Sequence, residues 1–158
     1  MNTADLFNIS NTVVLPFWAM MVLVPNWGWT RKIMGSLLYF VPLILLYVYF
    51  ISGSLNEETA AALANPNLAD IARFFSDETA AATGWTHFLV MDLFVGRWVY
   101  WEGQKTGVWT RHSILLCLFA GPLGLLSHII TAAIHRQWFT EASSETTPQE
   151  IATESTAV

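Results

Sequence analysis

Apolar residues run in four long blocks, 6–25, 33–52, 80–101 and 113–134, separated by polar connections. Each block has close to the ~20 residues that a helix needs to cross the hydrocarbon layer of a bilayer. The pattern therefore predicts an all-α integral membrane protein: a four-transmembrane-helix bundle filling residues 1–138. The connection 53–79 is polar and is punctuated at Asn65-Pro66. Asn56 precedes Glu57 and Glu58, and Asn67 precedes Asp70, so capping side chains and acidic first turns predict two short surface helices between spans two and three. From 139 to 158 the chain is polar, acidic and without periodicity, which predicts a disordered tail.

Composition supports the membrane assignment. Hydrophobic residues make up 54% of the 158 and charged residues 12%, about half the charge of a soluble domain. The net charge of −5 argues against a nucleic-acid partner. The one cysteine, Cys117, lies in an apolar run and has no partner for an internal disulfide, so it is expected to be buried filler. The N-terminal residues lack the positive start of a signal peptide and the Arg-rich bias of a transit peptide. Arg31, Lys32, Arg97, Lys105 and Arg111 fall on one side of the predicted spans, and Arg73 and Arg136 on the other. That asymmetry places the first and third connections in the cytoplasm or stroma and both termini outside.

The third block is interrupted by His87, Asp92 and Arg97, five residues apart each time. Five residues turn a helix by a net ~140°, so His87 and Asp92 point to different sides and cannot form a metal-binding pair on one face. Arg97 lies at the interface with Trp98 and Trp101 and is expected to anchor the helix there. Asp92 lies near mid-span, where an unpartnered charge is costly, and calls for a partner, a proton or a function. If spans three and four are antiparallel, His128 is level with His87, and Asp92 with Gly121-Pro122. Span one brings Asn11 to the depth of His87. Asn11, His87, His128 and the deeper Asp92 thus form the candidate site. Pro16, Pro42 and Pro122 are each expected to bend a span and open an apolar cleft between helices.

The runs Gly84-Trp-Thr-His87, Met91-Asp92-Leu-Phe-Val-Gly96-Arg97-Trp98 and Gly121-Pro122-Leu-Gly124 resemble the neoxanthin synthase-like, abscisic-acid-deficiency family of membrane proteins across most of 5–135. The resemblance implies a carotenoid-modifying isomerase acting on a hydrophobic xanthophyll-like ligand, in which an epoxide opens, a carbon-bound proton leaves and an allene forms. That chemistry has no net redox change and calls for no cofactor. It needs an acid and a base, for which Asp92 and one of His87 or His128 are the candidates, in either assignment. The resemblance further implies a multi-pass protein of a thylakoid or plasma membrane, in a cyanobacterial or similar relative. Two alternatives stand beside it: a pigment-binding or assembly protein without turnover, and a metal-dependent enzyme using His87, His128 and Asp92.

Overall fold

The computed structural model describes residues 2–154, with side chains described through Gln137. Within them every regular element is helical. Asn2 caps α1 (Thr3–Leu23) in a reciprocal box with Asp5, at 2.8 and 3.1 Å. After α2 (Gly28–Gly35) and a 3-10 turn at Leu38–Phe40 comes α3 (Val41–Ser54). The two short helices predicted from their asparagine caps are α4 (Glu57–Ala64) and α5 (Leu68–Phe74), with Asn56 accepting from Thr59 N–H and Asn67 from Asp70 N–H. The long α6 (Glu78–Thr106) starts at an Asp77 cap and ends at Gly107, whose φ of +73° is the left-handed conformation that favours glycine. Then follow α7 (Arg111–Phe119) and α8 (Gly121–Glu154). The expected disordered tail thus falls partly on the last stretch of α8, whose side chains lie outside the described residues, as does all of 155–158.

Two of the expected spans are not single helices. The block 33–52 is divided between α2 and the following helix, which meet at 70°. Pro42 is not inside a helix but in the first turn of α3, where its missing N–H costs nothing. The block 113–134 breaks at Ala120, and Pro122 is the second residue of α8. The two halves then fold back on one another. His112 meets Thr131 at 2.9 Å, the Ser113 and Ser127 hydroxyls lie 3.0 Å apart, and Gly124 is seated against Cys117. Pairs whose numbers fall on one helix as they rise on the other define an antiparallel hairpin. Of these three prolines Pro16 alone lies beyond a first turn, and α1 continues through it.

The long α6 is the mast of the fold and packs against α1, α3, α7 and α8. Its register with α1 is parallel: Trp85 bonds Asn11, Gly96 faces Trp18, and Tyr100 bonds the Pro25 carbonyl. With α3 it is antiparallel: Thr83 faces Ser54, His87 faces Tyr47 and Phe94 faces Phe40. Trp18, Met21, Met34, Phe40, Leu43, Leu93, Tyr100 and Ile114 form the core, with Cys117 buried among them as expected.

Outside this core the helices are apolar too, with Leu38, Leu45, Phe88, Phe119 and Ile130 exposed. Among the described residues α1 is long and apolar enough by itself to cross a membrane, and the bent α2–α3 pair would be a second if counted as one span. The breaks shorten the other candidates, and Asp92 and Arg97 lower the hydropathy of α6.

Arg97 has a more specific task than anchoring. Its Nε donates to the Met34 carbonyl at 2.7 Å, and Trp101 Nε1 donates to the same oxygen at 3.1 Å. Met34 lies in the last turn of α2, where carbonyls have no partner within the helix and a cation is favourable. Replacing Arg97 by leucine is expected to destabilise the protein by about 2 kcal/mol, as loss of a charged hydrogen bond at a part-buried acceptor. Arg97→Lys should recover part of this. Denaturant unfolding of the purified protein checks both.

Candidate functional site

Asp92 stands midway along α6, and Gly121 N–H donates to its Oδ1 at 2.9 Å. Gly121 is the first residue of α8, so the carboxylate sits at the positive end of a helix that starts inside the protein. This is the reverse of what Arg97 does at the end of α2. The central helix uses an anion to hold one helix start and a cation to hold one helix end. The ionisable residues that make α6 look ill-suited to lipid are matched to the two places where other helices are interrupted. Gly121 is required for the contact, because a Cβ there would overlap Asp92 Oδ1.

The expected depth match of Asp92 with Gly121-Pro122 is present, but the companions differ from those expected. Because α8 turns back, it runs parallel to α6 and carries His128 away from His87. His128 lies edge-on to Trp98 with ring centroids 5.3 Å apart. Trp98 is eleven residues from His87 on α6, or ~16 Å along the axis. His87 is exposed beside Tyr47 of α3, centroids 5.9 Å apart. Asn11 is occupied as a tie between helices, donating to the Phe7 carbonyl at 2.9 Å and accepting from Trp85 Nε1 at 2.8 Å. The four expected residues therefore do not converge on one point. Asp92 and His128 share the seam between α6 and α8, while His87 faces α3 and Asn11 faces α1.

A second polar layer, not foreseen from the sequence, lies at the His128 level. His112 Nε2 is 2.9 Å from Thr131 Oγ1 and 3.2 Å from Ser113 Oγ, and Trp109 stacks on the ring at 4.8 Å. Glu102 and His112 both act electrostatically on His128. His128 is only 4% exposed. The Nδ1 atoms of His112 and His128 are both buried and make no hydrogen bond. The signal in the sequence was the spacing of Ser127 and Thr131 against His112 and Ser113, which is visible only once the helix is known to double back.

No three of the described His, Cys, Asp and Glu side chains gather as a metal would require, so His87, His128 and Asp92 do not make a metal centre. On the far side, α4 and α5 cover a polar cavity of about 630 Å³ lined by Asn56, Asn67, Asp70, Arg73 and Asp77 among others.

Fold and site define an all-helical protein with an apolar exterior, in which one long helix holds the ends of two interrupted ones. The chain belongs to the ABA DEFICIENT 4-like family, whose model matches residues 5–128. It is 40% identical to the Protein ABA DEFICIENT 4, chloroplastic, of Arabidopsis thaliana, over 83% of this chain and 62% of that protein. The chain thus spans less than two thirds of the length of that relative. No solved structure matches it.

Proposed function

We propose that this protein modifies a carotenoid within a membrane, as an isomerase of the neoxanthin synthase type that opens an epoxide to an allene without net redox change. The observation that carries the proposal is the 40% identity with ABA DEFICIENT 4, together with a family match over residues 5–128 that spans all three motifs. Asp92 is assigned one of the two proton transfers and His87 or His128 the other: His87 is five residues from Asp92 on α6, ~7.5 Å along the axis, and His128, with its unpartnered buried nitrogen, is seven residues past Gly121 on α8, ~10 Å along it. Asn11, tied to Trp85, is left to a structural role.

The test is pigment analysis of cells that make an epoxy-xanthophyll and express this chain. An allenic product is expected, and an unchanged pigment profile overturns the proposal. A purified protein that holds stoichiometric pigment but never converts it would instead make this a pigment-binding protein.

The proposed membrane arrangement follows from the hairpin. Helices α1, α3 and α6 cross, and α7–α8 enters from the basic side and returns to it. Arg136 then joins Arg31, Lys32, Arg97, Lys105 and Arg111, leaving Arg73 alone opposite. This distribution is more one-sided than that of four full spans, in keeping with the charge bias of cytoplasmic or stromal loops. Single cysteines check it, since the buried Cys117 should stay silent to labelling. Lys105→Cys and Gln137→Cys are expected to react from one face and Ala4→Cys from the other. Four complete crossings would put Ala4→Cys and Gln137→Cys together.

A further inference from the structure

The hairpin of α7 and α8 leaves part of α6 uncovered, and the uncovered part carries two ionisable groups. Both arms run back from the tip at Ala120, where Gly121 meets Asp92, so neither reaches the half of α6 between its start and Asp92. That half presents a window framed on four sides. The hairpin tip is its lower edge, and Phe75, packed on Gly84, is its upper edge. Trp85, bonded to Asn11 of α1, closes one side, and His87 beside Tyr47 of α3 closes the other. From Gly84 to Asp92 the window is ~12 Å tall.

Round the helix Phe88, Met91 and His87 follow Asp92 in one direction, at ~40°, ~100° and ~140° from it. All four are open to the window. Phe88 is 58% and Met91 45% exposed, Asp92 is half-buried, and His87 is exposed with the rings of Tyr47 and Phe88 against it. Gly121 N–H takes one oxygen of Asp92, and the other, without a hydrogen-bond partner among the described residues, is not enclosed. His128 lies below the tip instead, buried, with an enclosed Nδ1. The electrostatics agree: His87 acts on Asp92, whereas Glu102 and His112 act on His128.

A face that met only acyl chains would have no use for a carboxyl and an imidazole, both costly against hydrocarbon. Phospholipids keep their polar atoms at the membrane surface, and a hydrocarbon carotene has none. A ring that bears oxygen on a long apolar chain supplies both an apolar surface for Phe88 and Met91 and a polar atom at the depth of Asp92.

Resting on the carotenoid reading above, we infer that the epoxide-bearing end ring of the xanthophyll enters this window from the lipid, lies across Phe88 and Met91, and meets Asp92 on one flank and His87 on the other. His87, not His128, is then the second catalytic residue. One of the two groups gives its proton to the epoxide oxygen as the C–O bond breaks, and the oxygen stays as a hydroxyl. The other takes the proton of the neighbouring polyene carbon, whose C–H electron pair becomes the second double bond of the allene. One proton enters and one leaves, so no oxidant or reductant is needed.

The experiment uses the full chain in lipid nanodiscs with an epoxy-xanthophyll as probe. A wild-type chain that converts nothing overturns the carotenoid reading and, with it, the roles of both groups. Where the wild type converts the probe, His87→Gln is expected to lower turnover by ~10²-fold or more, and a fall of less than about tenfold overturns the assignment of His87 while the carotenoid reading stands. The unfolding midpoint should not move, since His87 is exposed. Cross-linking reads the window without turnover. Met91→Cys carrying a benzophenone should attach to the xanthophyll, and Leu126→Cys, exposed on α8, to lipid. Lipid alone at both positions, or xanthophyll equally at both, overturns the window.

Discussion

Gly124→Ala should be the most damaging single substitution in the hairpin. A Cβ at Gly124 would overlap Cys117 Sγ and come within 2.6 Å of both the Cys117 amide nitrogen and the Ser113 carbonyl oxygen. A thiol can rotate away, but two backbone atoms of α7 cannot, so α7 and α8 must move apart. Separation also breaks the Ser113–Ser127 and His112–Thr131 contacts that close the seam. The expected cost is about 3 kcal/mol, the upper part of the range for overpacking a filled interior. Adding Cys117→Ala should not rescue it, because both backbone contacts remain. Gly28→Ala, where a new Cβ meets nothing within 4 Å, provides the baseline and should stay within about 0.5 kcal/mol. Denaturant unfolding in detergent measures all three.

Asp92→Asn separates chemistry from architecture. The asparagine carbonyl can still accept the Gly121 N–H, so only the attraction between a full charge and the start of α8 is lost, about 1 kcal/mol. The protein should fold and insert. If Asp92 transfers a proton to or from the substrate, turnover should fall by ~10²-fold or more, the usual worth of a positioned acid or base. Asp92→Leu removes the acceptor as well and should cost a further 1–3 kcal/mol or so, since a helix start is left without a partner. Unchanged turnover by Asp92→Asn would take Asp92 out of the mechanism and leave it the holder of α8. Rates measured alongside unfolding midpoints distinguish these results.

The residues most legible in the sequence were those whose effects are local. Asn56 and Asn67 marked two helix starts because capping depends on neighbours three residues away, and both caps are present. Cys117 was expected to be buried from its apolar surroundings, and it is. The breaks near Ser36 and at Ala120 are invisible to hydropathy, which records whether residues are apolar, not which way the chain is heading. The blocks 33–52 and 113–134 look continuous by that measure. Pro42 and Pro122 held the clue, since proline is as much at home in a first turn as it is disruptive in the middle. Reading α8 as the continuation of α7 puts His128 level with His87, whereas the hairpin sets it beside Trp98. The pairing of Asp92 with Gly121 survived because both lie at the tip of the hairpin, the one point where either direction of α8 gives the same neighbour.

The order in which the chain is made gives the Asp92 contact a timing. Gly121 follows Asp92 by 29 residues, so α6 leaves the ribosome well before the backbone amide that its carboxylate will meet. Until then the acid has only water to satisfy it, and α6 is a poor candidate to partition alone into lipid. Under the membrane arrangement proposed above, the stretch from α6 to the first turns of α8 would enter the bilayer as one cooperative unit, and a chain truncated just before Gly121 would strand the carboxylate.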